Sequence, residues 1–173
     1  VFIAPNCIDN DFFIEHNSKY KKEKEHIKKE LRVNKEKVIL YVGRLIKEKG
    51  VECLFEAYVR LRNTRSDIAL VVVGYGPLKN KLESICKRKN LSEVLFTGPV
   101  TSYRQLIKYY SIADVFVLPT LFDVWGFVIN EAMACGLPVI STKNAQAAIE
   151  MISQGENGFL VNEVDEGKLY SAM

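Results

Sequence analysis

Ala69-Leu70-Val71-Val72-Val73 is an unbroken apolar run, followed at once by Gly74-Tyr75-Gly76-Pro77. A strand with one wet face alternates apolar and polar residues. This run does not alternate, which predicts a strand buried on both faces, as inside a parallel sheet. The glycines mark a turn, and Pro77 suits the first turn of a following helix. Working outward, further short strands are predicted at Val38-Ile39-Leu40-Tyr41-Val42, Val94-Leu95-Phe96-Thr97, Val115-Phe116-Val117-Leu118, Pro138-Val139-Ile140-Ser141 and Phe159-Leu160-Val161.

Helical spacing fills the gaps between these strands. Leu54, Ala57, Tyr58 and Leu61 stand at i, i+3, i+4 and i+7, as do Tyr103, Leu106, Ile107 and Tyr110; Leu78, Leu82, Ile85 and Cys86 form a third stripe. Their plain reading is packing against a sheet. Alternation at this pitch predicts an α/β fold, a Rossmann-like doubly wound parallel sheet with right-handed crossovers. Ligands of such sheets bind beyond the carboxyl ends of the strands.

The chain has 173 residues, 48% apolar and 26% charged, with a formal net charge of +3. That is the balance of one globular domain, expected to span 1–173, and weak support for a nucleic-acid partner. No apolar stretch reaches the roughly 20 residues that span a bilayer. Val1-Phe2-Ile3 opens the chain inside a strand-like run without Met, and Asp165 to Met173 reads as the start of a helix that stops early. A piece of a longer protein is therefore expected. The opening residues lack a charged leader and a cleavage site, and Cys7, Cys53, Cys86 and Cys135 form no C-x-x-C pair. A core role for Cys53, Cys86 and Cys135, no metal, and a cytoplasmic setting are the expectations. The Lys- and Glu-rich segment from Lys19 to Lys37 reads as a solvated helix with mixed-sign i,i+4 pairs, or else as a basic surface for an anionic partner.

Three loops carry chemistry. Gly43-Arg44-Leu45-Ile46-Lys47-Glu48-Lys49-Gly50 follows the first strand. Gly43 allows close approach of backbone to a ligand, and Arg44 and Lys49 beside a helix N-terminus suit a diphosphate. The plainer alternative is a pair of exposed loop cations. The second loop, Gly74-Tyr75-Gly76-Pro77, begins like a dinucleotide fingerprint, but Lys79 stands where G-x-G-x-x-G needs its third glycine. A tight turn beside the cleft explains both glycines. The third segment runs Thr120-Leu121-Phe122-Asp123-Val124-Trp125-Gly126-Phe127-Val128-Ile129-Asn130-Glu131-Ala132-Met133-Ala134-Cys135-Gly136-Leu137-Pro138, with a helix starting near Gly126. A loop acid, Asp123, and a helix acid, Glu131, can converge on sugar hydroxyls, and the first-turn N–H groups are free donors. The alternative is Asp123 as a helix cap and Glu131 as a satisfied core acid.

These blocks, together with Asn6, Ile8-Asp9, Phe12, Ala113-Asp114-Val115-Phe116-Val117-Leu118-Pro119 and Gly155-Glu156-Asn157-Gly158-Phe159-Leu160-Val161, resemble in order the C-terminal domain of family-4 retaining glycosyltransferases of the GT-B fold. The resemblance implies a donor-binding half whose N-terminal acceptor domain is absent, and hexosyl transfer from a nucleotide-diphosphate sugar in glycan or polysaccharide biosynthesis. It implies that Arg44 and Lys49 bind the departing diphosphate, that Glu131 binds the ribose, and that Asp123 lies near the donor sugar. Gly43 and Gly74 belong to the same donor site. Backbone at Trp125, Gly126 and Phe127 resembles the stretch that contacts sugar hydroxyls, that of Val128 and Ile129 the part near the phosphates, and Gly98-Pro99-Val100 the region beside the base. No metal or other cofactor is implied. The acceptor is a glycan, a lipid-linked sugar or another molecule met through the absent domain, and peripheral membrane contact at the inner face fits the full-length protein.

Two departures stand out. The family commonly has Glu where this chain has Asp123, a carboxylate shorter by about 1.5 Å (cf.), and often Gly-Phe where this chain has Val124-Trp125. Other readings stay open: a non-catalytic sugar-nucleotide-binding domain, or a GT-B-fold epimerase or phosphorylase.

Overall fold

A computed structural model describes residues 6–162 and 164–173, so the strand-like opening run Val1-Phe2-Ile3 lies outside the described residues. The elements run α1 (Asn10–Lys22), α2 (Lys24–Glu30), β1 (Lys37–Val42), a 3-10 turn (Lys47–Lys49), α3 (Val51–Arg62), β2 (Ile68–Val73), α4 (Lys79–Arg88), β3 (Val94–Gly98) and α5 (Tyr103–Ile112). There follow β4 (Val115–Leu118), α6 (Phe127–Ala134), β5 (Val139–Thr142), α7 (Gln146–Met151), β6 (Gly158–Val161) and α8 (Glu166–Ala172). The strands form one sheet in the order β3-β2-β1-β4-β5-β6, every pair parallel. This is the doubly wound, Rossmann-like order, and strand order reverses direction between β1 and β4.

All residues of β2 are buried, with Val71 in register between Leu40 of β1 and Leu95 of β3. Strands on both edges and helices on both faces leave no wet side for polar residues to occupy. From α3, Leu54, Phe55, Ala57, Tyr58 and Leu61 are buried, and Phe55 stacks on Phe96 of β3 at 5.7 Å. From α5, Leu106, Ile107 and Tyr110 are buried, but Tyr103 at the head of that stripe is exposed. In α4 only Leu82 of its stripe is fully buried. All four cysteines are free thiols. Burial pushes Cys53 and Cys86 up to about 11 and Cys135 up to about 12, as suits packing rather than redox chemistry.

The segment from Lys19 to Lys37 is not one solvated helix. The chain breaks at Glu23 into α1 and α2, and both pack against α5. Phe13, Ile27 and Lys28 are buried there. Only Lys19–Glu15 is an i,i+4 pair in this region; Lys24 instead reaches Asp114 at 3.1 Å and Glu30 reaches Lys108 at 3.4 Å. The charges bind the helices to the body of the domain, because the few apolar residues between them face inward. Asp165 caps α8 by accepting from the Lys168 N–H, so the terminal helix is formed. Among the described residues, no helix is long and apolar enough to cross a membrane.

Gly74 needs its glycine for more than a tight turn. Its φ is +144°, and a Cβ there would lie 1.9 Å from the carbonyl oxygen of Gly43. The loops after β1 and β2 are therefore in backbone contact, and no side chain fits between them. Gly74→Ala is expected to lower unfolding stability by about 2–4 kcal/mol, measured by chemical denaturation, because strain and backbone overlap act together.

Candidate functional site at the topological switch point

The loops leaving β1 and β4 face each other across the crevice where strand order reverses. In β1, five apolar residues bury the strand, and the chain turns outward at Gly43. The Gly43 N–H donates to Val73 O at 2.9 Å, and the Gly74 N–H donates to Gly98 O at 3.0 Å. Gly43, Gly74 and Gly98 thus form a row across the carboxyl ends of three adjacent strands. Pro99 is exposed and Val100 half-buried just beyond that row.

Arg44 and Lys49 leave this row in different states. Arg44 is exposed, and its carbonyl accepts a 2.8 Å hydrogen bond from the Tyr41 hydroxyl. Lys49 ends the 3-10 turn with its side chain 14% exposed, and its ammonium donates to the carboxylate of Asp123, itself 21% exposed. Tyr41 lies close enough to feel both charges: burial and the Asp123 carboxylate push its phenol up, and Arg44 pulls it down. The Arg44 backbone is thus hydrogen-bonded to Tyr41, and Asp123, paired with Lys49, lies within electrostatic reach of the same phenol.

The loop from β4 is tied down on two sides. The Glu48 carbonyl accepts from Leu121 N at 2.8 Å, Phe122 N at 3.2 Å and Thr120 Oγ1 at 3.0 Å. Gly50, at φ +63°, passes so near that a Cβ would lie 1.8 Å from Pro119 O. On the other side, Asp123 N donates to Asn144 O at 2.9 Å, and Ala147 N donates to Trp125 O at 2.9 Å. The Trp125 indole N–H donates to Asn130 Oδ1 at 2.9 Å, a bond that Phe could not make.

Asp123 does not cap α6. The N-cap is Gly126, at φ +94°, with no side-chain cap. Of the first-turn amides, Ile129 donates to Gly126 O at 2.8 Å, and its side chain is buried. The N–H groups of Phe127 and Val128 have no partner among the described residues. They are the donors that α6 offers to an anion.

Glu131 sits apart from the Lys49–Asp123 pair, further along α6. It lines a cavity of about 510 Å³ with Cys7, Ile8, Asp9, Phe12, Phe13, Tyr103 and Phe127. The residue is only 6% exposed, and its Oε2 accepts from the Tyr110 hydroxyl at 2.8 Å. Burial raises the carboxyl above its ordinary range, and the Tyr110 hydrogen bond opposes that rise in part. Glu131 is thus both a partnered core acid and a cavity wall. Sequence reasoning had no place for Tyr41, Tyr110, Glu48 or Asn130. The first two read as apolar core, Glu48 acts through its backbone, and nothing in the spacing marked Asn130 as the partner of Trp125.

The raised carboxyl carries a stability consequence with a definite sign. Between the ordinary value and the raised one, the folded chain holds the Glu131 proton more tightly than the unfolded chain does. This group's contribution to stability therefore falls as pH rises through that interval. Glu131→Gln, which keeps the shape without the buried charge, is expected to raise the melting temperature at pH 7 by about 2–4 °C, and the gain should shrink on acidification in a calorimetric series.

The chain's relatives were found by comparison with known proteins. The Glycosyl transferases group 1 family matches residues 22–172. The GDP-mannose-dependent alpha-mannosyltransferase of Corynebacterium glutamicum is 38% identical over 75% of this chain, which spans 28% of that protein. The N-acetylgalactosamine-N,N'-diacetylbacillosaminyl-diphospho-undecaprenol 4-alpha-N-acetylgalactosaminyltransferase of Campylobacter jejuni is 34% identical over 80% of this chain, which spans 37% of it. The crystal structure of the C-terminal domain of a glycosyl transferase group 1 family protein from Francisella tularensis superposes with a TM-score of 0.78 at 26% identity, covering 86% of this chain and 78% of that one. The fold matches C-terminal domains of GT-B glycosyltransferases. With the family match running over nearly all of its length, this chain belongs to the Glycosyl transferases group 1 family.

Proposed function

We propose that this chain is the donor-binding half of a family-4 retaining glycosyltransferase, which moves a hexosyl group from a nucleotide-diphosphate sugar to an acceptor in glycan or polysaccharide biosynthesis. The observation that carries this reading is the arrangement at the switch point. Arg44 and Lys49 leave one loop, the unpartnered Phe127 and Val128 amides open α6, and the Glu131 carboxylate lines a cavity on the same helix. Cations and a helix N-terminus suit the diphosphate; a carboxylate acceptor suits the paired hydroxyls of a ribose.

Bond cleavage at the anomeric carbon leaves negative charge on the diphosphate, and fixed positive groups must meet that charge as it forms. Arg44, Lys49 and the α6 amides do this without a metal. Lys49 exchanges its carboxylate partner for a phosphate oxygen, and Asp123, thereby released, accepts from hydroxyls of the donor sugar. The Glu48 carbonyl and the Trp125–Asn130 bond hold the backbone still during that exchange.

The relatives named above use GDP-mannose or transfer N-acetylgalactosamine, which supports a sugar-nucleotide donor here and leaves the base for experiment. The acceptor is met by an N-terminal domain of the full-length protein, working in the cytoplasm at the inner face of the membrane. The 173-residue chain alone binds donor and turns it over poorly.

Titration with UDP, GDP and ADP in parallel, by calorimetry, tests the reading. One nucleotide is expected to bind selectively and saturably. A hydrogen bond to a charged group contributes roughly 1.5–3 kcal/mol, so Arg44→Ala and Lys49→Ala should each weaken binding about tenfold or more. Equal affinity in both variants would remove these two residues from the site.

A further inference from the structure

Tyr110 closes the apolar stripe of α5, where leucine or phenylalanine would satisfy the spacing equally well. Its ring is fully buried, edge-on to Phe13 at 6.4 Å and tilted against Phe116 at 6.0 Å. A phenol in that position brings a hydroxyl into the core, which must find a partner. The partner is Glu131 Oε2, at 2.8 Å. One carboxylate oxygen is thereby anchored from behind, and the other is left to the cavity that Glu131 lines.

We infer that Tyr110 is a positioning residue for Glu131, fixing the carboxylate in one orientation and keeping it ionised so that it accepts from the vicinal hydroxyls of a bound ribose. This rests on the reading of the site as a nucleotide-sugar site. A carboxylate accepts from two hydroxyls only while it is charged, since protonation turns one oxygen into a donor. Burial works against that charge, and Tyr110 is the one described side chain whose hydrogen bond supports it. The other ionisable groups around Glu131 are Tyr103 on α5, Cys7 and Asp9 at the head of α1, and Cys135 at the end of α6; Lys21 of α1 faces Cys135. None of them donates to the carboxylate. Tyr110 therefore sets the direction of a carboxylate whose other oxygen is left to the ligand, and it opposes the burial that favours protonation.

The test compares wild type, Tyr110→Phe and Glu131→Asp, each first checked for fold by circular dichroism. In the ligand-free chain, the Glu131 carboxyl of wild type and Tyr110→Phe is titrated by carbon-13 NMR. Loss of the phenol hydroxyl should move its midpoint upward by about one pH unit or more. Affinity for UDP, GDP and ADP is then followed against pH. In Tyr110→Phe, affinity for the preferred nucleotide should fall away on acidification at a correspondingly higher pH and approach wild type at the alkaline end. Glu131→Asp, whose carboxylate stops about 1.5 Å short of the hydroxyl, should show the same early loss. An unmoved carboxyl midpoint in folded Tyr110→Phe overturns the inference and leaves the nucleotide site standing. A moved midpoint with an unchanged affinity profile also overturns it. Wild type that binds none of the three nucleotides at any pH overturns the site reading, and the inference with it.

Discussion

One carbonyl oxygen, that of Glu48, holds the two working loops together. It accepts from the amides of Leu121 and Phe122 and from the hydroxyl of Thr120. Through it, the short turn that ends at Lys49 and the loop that carries Asp123 become a single body. Gly50 makes this possible, since no Cβ fits between that turn and the Pro119 carbonyl. The Thr120 carbonyl extends the body to β5 by accepting from the Thr142 hydroxyl and the Asn144 side-chain amide. On the proposed reading, ligand groups that arrive over the switch point meet a surface whose backbone is already set, which lowers the ordering cost of binding.

Within that fixed frame, each of the two carboxylates has a side-chain partner. Lys49 holds Asp123, and Glu131 is held by Tyr110. Such pairs satisfy buried polar atoms that would otherwise be costly, and each offers a different answer to a ligand. On the proposed reading the first is the pair that exchanges, since both members are partly exposed. The second cannot exchange, because Tyr110 is sealed in the core on the inner face of α5. Burial raises the Glu131 carboxyl above its ordinary range, which costs stability where the group is ionised.

Much of this was legible in the sequence, for identifiable reasons. The unalternating Ala69 to Val73 run marks a strand covered on both faces, and β2 is that strand. Strand–helix alternation from Val38 onward fixed the sheet's class, and the chemistry-bearing loops fall at its carboxyl edge. What stayed hidden depended on contacts distant in the chain. The charged segment from Lys19 to Lys37 reads as solvent-facing because its pairing partners, Asp114 and Lys108, lie far along the sequence. The alternative that Asp123 caps α6 rests on its place before a helix, but the N-cap is Gly126 and Asp123 turns toward Lys49 instead. Tyr110 is invisible as a polar residue because its spacing is that of a core position. The Glu48 carbonyl has no side-chain signature at all.

On the proposed reading, a nucleotide diphosphate lies over the switch point between the loops after β1 and β4. A crystal structure of the chain with the preferred nucleoside diphosphate bound tests it most directly. The expected density has phosphate oxygens against Arg44, Lys49 and the amides of Phe127 and Val128, with Lys49 drawn off Asp123 and the ribose hydroxyls on Glu131 Oε1. A nucleotide seated elsewhere, with the Lys49–Asp123 pair intact and Glu131 untouched, would contradict it.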